Sequence, residues 1–255
     1  LIKATIRRFG DWCRQNGIVL PDRNFTIRYS TTIPRLVGLA GSSAIVTATL
    51  RALMRFYEVT IPTVIQPNLI LSVERDELGL TAGLQDRVIQ VYEGMVYMDF
   101  DRALMERQGY GRYEPMDPRL LPPLYIAFDR RCSESSERAH NPLRLRYDQG
   151  DPVVVGGMRR FAELTDEVRR LLLEGRGREI GPLMNANFDL RATIMPISER
   201  NRQMIEEARR CGASAKFAGS GGAIIGVYED ESMFKQLAER LGAIGCEVFK
   251  PEILP

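Results

Sequence analysis

A loop rich in glycine and serine, Gly38–Ser43, runs directly into an apolar helical pattern, and this junction constrains the fold more than any other feature. Residues 45–56 are apolar on nearly every side of a helix, so we expect that helix to be buried. The glycines let the backbone approach a ligand closely, and amides at a helix N-terminus present unpaired N–H groups to an anion. A tight turn capped by a serine explains the same residues without a ligand. The junction therefore indicates either a phosphate-binding loop or a capped turn.

Length and composition are those of an ordinary globular protein with two domains. The chain has 255 residues and is 44% hydrophobic, which leaves room for two cores. Basic and acidic residues interleave, 35 against 33, so we expect no nucleic-acid partner. No apolar run approaches the roughly 18 residues of a membrane span, and the first residues lack a signal-peptide pattern. We therefore expect a cytoplasmic protein without a membrane partner, and its oligomeric state stays open.

The cysteines and the single histidine carry no metal-binding or disulfide pattern. The four cysteines are widely spaced and form no CxxC pair: Cys13, Cys132, Cys211 and Cys246. This spacing favours reduced thiols over a disulfide framework or a zinc site. His140 lies in a polar segment and is predicted to be a surface residue.

The chain begins within a helical pattern, and two strand patterns follow it. Apolar residues recur on one helix face before the stop signal Asn16-Gly17, namely Ile2, Ile6, Phe9 and Cys13. No capping residue precedes this helix, which suggests a truncated start. Alternating apolar residues predict strands at 25–30 and 95–100.

Two acidic residues lie on either side of a break that contains glycine. A helix that opens at Pro67 turns its apolar stripe inward and leaves Glu74 on another face. The next helix has an apolar stripe that omits Asp86, which places this residue beside the core. Phosphoryl transfer needs a carboxylate to hold Mg²⁺ and usually another to orient or deprotonate the acceptor hydroxyl. Glu74 and Asp86 could divide these tasks, although a helical glutamate is more often simply solvated.

The second half of the chain predicts a sheet with helices on one face. Residues 109–118, rich in glycine, proline and charge, are the expected linker, so we place the domains at residues 1–115 and 116–255. Strands are predicted at 124–128, 223–228 and 247–253, and helices at 155–174, 178–193, 198–211 and 234–241. This mixed order indicates an α+β architecture. A second glycine cluster, Gly219–Gly222, suits either a close approach to a ligand or a hairpin turn.

Three segments, in this order, resemble the motifs of the GHMP kinases, the family of galactokinase, homoserine kinase and mevalonate kinase. Residues 34–44 are similar to the motif Pro-x-x-x-Gly-Leu-x-x-Ser-Ser-Ala, and residues 216–223 to the glycine-rich third motif. Residues 73–87 resemble the branch that acts on the anomeric hydroxyl of sugars. Residues 29–35 and 84–88 resemble the glucuronokinases. The resemblance implies a two-domain α+β GHMP kinase fold. The N-terminal domain would be ribosomal protein S5 domain 2-like and incomplete, because the first family motif has no counterpart in this sequence. The C-terminal domain would be a ferredoxin-like α/β sandwich.

The resemblance implies ATP-dependent phosphorylation of the C1 hydroxyl of a sugar or sugar acid, closest to conversion of D-glucuronate to glucuronate 1-phosphate on the way to UDP-glucuronate. It assigns ATP binding to Pro34, Gly38, Leu39, Ala40, Gly41, Ser42, Ser43 and Ala44. It assigns Mg²⁺ to Ser43 and Glu74, and acceptance of the hydroxyl proton to Asp86. The loop formed by Gly219, Ser220, Gly221 and Gly222 would close over the substrate.

Arginine suits a sugar-acid carboxylate because its planar fork donates two parallel hydrogen bonds. Arg35 and Arg87 are the candidates. Arg87 adjoins Asp86, so a structural ion pair, or a role in holding the Asp86 charge in place, is the alternative. Two other functions stay open: another sugar-1-kinase of heptose-phosphate, fucose or galactose type, and a nucleotide-binding fragment without catalysis, which the missing first motif suggests.

Overall fold

The computed structural model describes residues 1–131 and 143–254. Cys132 and His140 lie outside the described residues. The chain divides into two compact units. The first contains Leu1–Ile33 and Ala40–Asp117, together with Leu254, and the second contains Pro34–Leu39 and Pro118–Ile253. The glycine-serine loop is therefore divided between the units after Leu39.

The first unit combines helices with a two-stranded antiparallel sheet. Its helices are α1 (Ile2–Gln15), α2 (Gly41–Tyr57), α3 (Gln66–Ser72), α4 (Gln85–Tyr92) and α5 (Arg102–Gln108). Strands β1 (Met95–Asp99) and β2 (Arg112–Met116) pair with Met95 opposite Met116. Helix α3 continues into a π-helical turn, Val73–Glu77.

The predicted apolar stripes form the core of the first unit. Buried side chains from α1 to α4 pack together, among them Phe9, Cys13, Val46, Leu50, Leu53, Ile70, Val73 and Val91. Pro67 lies in the first turn of α3, where its missing N–H has no intrahelical acceptor to lose. The helices predicted at these stripes are confirmed, but the expectation that α2 is buried on nearly every side is wrong, because Ala48, Arg51 and Arg55 leave one face of it exposed.

Two predictions for the first unit are wrong. Residues 25–30 form no strand, because no neighbouring strand offers hydrogen bonds to them among the described residues. Phe25 instead packs against Phe56 and Tyr57, with ring centroids 5.3 and 6.2 Å away. Residues 109–118 contain β2 rather than only a linker. Its Pro115 is tolerated because β2 has a single partner strand among the described residues.

Helix α5 was not predicted, although the sequence carries its boundary signals. Asp101 caps its start by accepting a hydrogen bond from the amide of Leu104 at 2.9 Å. Gly109 ends it in the left-handed conformation, with φ 80°. The helix has seven residues, which is too short for an apolar stripe to be recognised.

The second unit is an antiparallel sheet in the order β4-β5-β3-β6, with helices packed on one face. Its strands are β3 (Leu124–Phe128), β4 (Lys216–Phe217), β5 (Ala223–Val227) and β6 (Glu247–Phe249), and its helices include α6 (Pro152–Leu173), α7 (Gly181–Ile194), α8 (Glu199–Arg210) and α9 (Glu231–Ala243). Tyr125, Ala127 and Ile224 pack against α7, α8 and α9. The predicted α+β sheet is confirmed, with β6 shorter than expected because Pro251 cannot donate to a ladder.

The side chains of Cys13, Cys211 and Cys246 are buried and form no disulfide among the described residues. Burial raises the pKa of the Cys13 and Cys211 thiols, which keeps them protonated and unreactive. None of the helices in residues 1–131 and 143–254 is long and apolar enough to cross a membrane.

Asp129, directly after β3, is a carboxylate with 1% of its surface exposed. Its Oδ1 accepts a hydrogen bond from Nε of Arg131 at 3.0 Å, and its Oδ2 accepts one from Nε of Arg200 at 2.7 Å. Burial alone raises the pKa of this carboxyl, but the hydrogen bonds and the Arg200 charge outweigh burial and lower the pKa from 3.8 to about 2. The carboxylate therefore stays ionised in the folded protein.

The depressed pKa of Asp129 predicts a loss of stability in acid. Because the pKa is lower in the folded than in the unfolded state, the contribution of Asp129 is complete above pH 4 and is lost as the pH falls through about 2. The shift corresponds to about 2 kcal/mol of unfolding free energy. We expect urea unfolding to show that Asp129→Asn is less stable than wild type at neutral pH, and that the difference shrinks below about pH 4. A difference that does not change with pH would contradict this assignment.

Candidate active site

The loop before α2 has an unusual backbone. Leu36, Gly38 and Ala40 all have positive φ, at 60°, 73° and 54°. A left-handed conformation costs a residue other than glycine about 1–2 kcal/mol, so the loop is strained at Leu36 and Ala40. Strain of this kind persists where surrounding contacts hold it, and it is typical of ligand-binding sites.

Helix α2 begins with amides that no side chain caps. Its N-cap residue is Ala40, and no side-chain hydrogen bond reaches the first turn. Ser43 is fully buried and donates its hydroxyl to the carbonyl of Ala40 at 2.9 Å instead of accepting from an amide. The alternative of a serine-capped turn is therefore wrong. The amides of Gly41, Ser42 and Ser43 have no intrahelical acceptor and are suited to an anion.

The stem of this loop lies against the second glycine cluster, and both belong to the second unit. A Cβ placed on Gly38 would overlap the carbonyl oxygen of Gly221, and one placed on Gly219 would lie 2.8 Å from the oxygen of Gly38. Val37 and Leu39 pack on Phe128 beside these contacts. The two glycine-rich segments, which the sequence identifies separately, are therefore in backbone contact.

Gly38→Ala should disrupt this contact. Its φ of 73° and the overlap with Gly221 should cost about 1–3 kcal/mol of unfolding free energy, and kcat should fall with the displaced loop. Gly156→Ala is the matched control, because a Cβ there meets nothing within 4 Å inside α6. The control should stabilise the chain by about 0.5–1 kcal/mol. Urea unfolding and steady-state kinetics measure both variants, and equal stabilities would contradict the tight approach.

In the first unit, Glu74 is buried and bound by Arg87. The side chains of Glu74 and Arg87 are 2% and 6% exposed. Nε of Arg87 donates to Oε2 of Glu74 at 2.8 Å, and Nη2 contacts the same oxygen. The alternative that Glu74 is simply a solvated helical residue is therefore wrong. Val73 and Glu74 are both buried where the π-helical turn Val73–Glu77 begins.

Asp86 lies in the first turn of α4 with 47% of its side chain exposed, as predicted beside the core. Nη1 of Arg87 is 3.3 Å from Oδ2 of Asp86 and donates to the carbonyl of Gly83 at 3.0 Å. Arg87 therefore connects the two acidic candidates. Of the two interpretations of Arg87, the structure shows the ion pair. Arg35, the other arginine candidate, is exposed.

Two side chains that hold the loop Gly219–Gly222 were not predicted from the sequence. Arg191 of α7 donates to the carbonyls of Gly219 and Ser220, at 3.1 and 3.2 Å. Asn201 of α8 is 3% exposed, and its Oδ1 accepts from the amide of Gly222 at 2.9 Å. Asn201 had a signal in the sequence: it shares the helical spacing of the apolar residues Met204, Ile205 and Ala208, and a buried amide needs a polar partner.

Two cations lie beside this loop without a carboxylate partner among the described residues. Burial, and secondly the charge of Arg191, lower the pKa of Lys216 to about 8. Nζ of Lys216 donates to the carbonyl of Phe217 at 2.8 Å. Burial also lowers the pKa of Arg191. The edge of the sheet at β4 therefore carries positive charge that the described chain does not neutralise.

Comparison with known proteins gives the class of this chain. The N-terminal domain of the GHMP kinases matches residues 1–94, and their C-terminal domain matches residues 168–245. The phosphomevalonate kinase of Streptococcus pneumoniae shares the fold, with a TM-score of 0.71 at 18% identity over 99% of this chain and 82% of that one. The chain belongs to the GHMP kinase family, which confirms the predicted fold.

Within that family, the chain is similar to two proteins of Arabidopsis thaliana. It is 43% identical to probable glucuronokinase 2 and 41% identical to glucuronokinase 1. The alignments cover 100% of this chain and 71% and 72% of those proteins. The chain is therefore a sugar kinase, and the ATP dependence of its family supports ATP as the phosphoryl donor.

Proposed function

We propose that this enzyme transfers the γ-phosphoryl group of ATP to the C1 hydroxyl of D-glucuronate and forms glucuronate 1-phosphate. The observation that carries the proposal is the identity of 41–43% with glucuronokinases along the whole chain. The paired carboxylates Glu74 and Asp86, connected by Arg87, supply chemistry that suits this transfer.

The ATP phosphates would bind at the strained loop and the first turn of α2. The amides of Gly41, Ser42 and Ser43 lack intrahelical acceptors, and the helix dipole places partial positive charge there. Gly38 keeps the backbone close to the second glycine cluster. This arrangement supports the assignment of ATP binding to the segment from Pro34 to Ala44.

The protein donors for Mg²⁺ would be the Ser43 hydroxyl and the Glu74 carboxylate, both oxygen ligands. Among the described residues, no cluster of three or more acidic, cysteine or histidine side chains could hold a metal. This donor set fits Mg²⁺, which is usually bound by one or two carboxylates together with waters and substrate phosphates. The bound ion would neutralise negative charge on the phosphates. Arg87 occupies one oxygen of Glu74, Oε2, and so fixes the carboxylate in place.

Asp86 would act as the catalytic base. Its carboxylate is half exposed, so a hydroxyl can reach it, and Arg87 lies 3.3 Å from one of its oxygens. It would accept the proton from the C1 hydroxyl as that oxygen attacks the γ-phosphorus. The loop Gly219–Gly222 would bind the substrate. Arg35 would be the arginine available for the sugar carboxylate, since Arg87 is bound to Glu74.

A substrate panel tests the proposal. The purified protein is assayed with ATP and Mg²⁺ against glucuronate, galacturonate, glucose, galactose, fucose and a heptose phosphate. We expect kcat/KM for glucuronate to exceed that for glucose by about 10- to 100-fold, because glucose lacks the carboxylate that a charged hydrogen bond would recognise. A higher kcat/KM for another sugar would show that the chain is a sugar-1-kinase with a different substrate. Nucleotide binding without transfer to any sugar would overturn catalysis itself.

A further inference from the structure

Arg191 holds two successive peptide groups of the glycine loop with one side chain. Its Nη1 and Nη2 donate to the carbonyls of Gly219 and Ser220, at 3.1 and 3.2 Å. Its guanidinium lies over the Phe217 ring, 5.0 Å from the centroid, which limits its rotation. The planar fork of arginine suits this double donation, whereas the single ammonium of lysine cannot span both oxygens in the same geometry.

The orientation of these carbonyls fixes the orientation of the amides that follow them. In a trans peptide the C=O and the next N–H point in opposite directions. Because Arg191 draws the oxygens of Gly219 and Ser220 toward itself, the N–H groups of Ser220 and Gly221 point away from it. Neither amide has an acceptor within the described part of the chain. Two adjacent outward amides are a typical binding site for an oxyanion.

The charge of Arg191 is also uncompensated. No carboxylate pairs with it among the described residues, and its buried Nε has no acceptor there. Arg209 on α8 provides the contrast: it stacks on Phe188 at 5.3 Å, but it pairs with Asp189 at 2.7 Å. A desolvated cation without a counter-ion is unfavourable, and a bound anion would relieve that cost.

We propose that Arg191 is a positioning residue: it sets the glycine loop so that the amides of Ser220 and Gly221 face an oxyanion of the reactants, and its charge favours that oxyanion. This role rests on the proposed function of the loop Gly219–Gly222 in substrate binding. The oxyanion is a phosphate or the sugar carboxylate, which share this chemistry.

Kinetics of Arg191→Met and Arg191→Lys test the role, with Arg209→Met as the matched control. Arg191→Met should lower kcat/KM by about 10- to 100-fold, the effect of two hydrogen bonds from a charged donor. Arg191→Lys keeps the charge but not the fork, and should recover less than about threefold. Arg209→Met should stay within about twofold of wild type. If Arg191→Lys had the wild-type kcat/KM, or if Arg191→Met left kcat/KM unchanged, Arg191 would not be a positioning residue.

Comparing glucuronate with a neutral sugar identifies the oxyanion. If Arg191→Met lowers kcat/KM for both substrates, the amides bind a phosphate. If it lowers kcat/KM for glucuronate alone, they bind the sugar carboxylate.

Hydrogen exchange measured without substrate tests the role of Arg191 separately from the proposed function. The bonded amides of Ala218 and Gly222 should exchange faster in Arg191→Met than in wild type or Arg209→Met, whichever sugar is the substrate. Unchanged exchange would overturn the role of Arg191 and leave the kinase assignment intact.

Discussion

Replacing Asp86 with asparagine is expected to lower kcat for sugar phosphorylation by about 10²- to 10⁴-fold, the contribution of a general base. Asparagine keeps the shape of the side chain but cannot accept the proton of the attacking hydroxyl. The side chain is 47% exposed, so the substitution should change the stability by less than about 0.5 kcal/mol. Steady-state kinetics with ATP and glucuronate, together with urea unfolding, measure both effects.

Asp76→Asn is the matched control for Asp86→Asn. Asp76 is also an acidic residue of the first unit, it is 55% exposed, and it pairs with Arg8 at 3.2 Å in place of Arg87. We expect its kcat to stay within about twofold of wild type. If Asp86→Asn kept more than about a tenth of the wild-type kcat, Asp86 would not be the base.

Arg87→Met is expected to lower the free energy of unfolding by about 3–5 kcal/mol, because it leaves the Glu74 carboxylate buried without its partner. The double variant Glu74→Leu and Arg87→Met removes both charges and should recover much of this loss. Arg102→Met is the exposed counterpart, since Arg102 and Glu106 are 87% and 65% exposed, and it should cost less than about 1 kcal/mol. Urea denaturation measures the free energy of unfolding of all three variants and of the wild type.

The same variants decide between the two interpretations of Arg87. If Arg87 bound the sugar carboxylate instead, Arg87→Met would raise KM for glucuronate while the unfolding free energy changed by less than about 1 kcal/mol. That result would contradict the ion pair with Glu74 and restore the substrate-binding interpretation.

Local patterns in the sequence predicted most of the fold. Helix α2 and the stripes of α1 and α8 follow from spacing that each segment carries within itself. The strand expected at residues 25–30 failed because a strand also needs a neighbour, and alternation in one segment cannot supply it. The burial of Glu74 was not predicted for a related reason, since its partner Arg87 lies 13 residues further along the chain and a helical glutamate on its own is usually solvated.

The sequence predicted only part of the candidate site, because local motifs do not show which distant residues come into contact. The glycine loops and the acidic residues belong to contiguous motifs, so the resemblance to a kinase family could identify them. Arg191 and Asn201 contact the glycine loop across separations of 28 and 21 residues, which only the packing of helices on the sheet establishes. The pairing of Arg87 with Glu74, 13 residues apart, likewise depends on how α3 and α4 pack.

The position of the transferred phosphate on the sugar decides whether this chain phosphorylates the C1 hydroxyl of glucuronate. The reaction of ATP with glucuronate is followed by phosphorus NMR, with correlation from the phosphorus to the sugar protons. We expect a new phosphate signal coupled to the anomeric proton, formed in step with ADP and about 10²- to 10⁴-fold more slowly in Asp86→Asn. A phosphate coupled to any other sugar proton, or ADP release without a sugar phosphate, would contradict it.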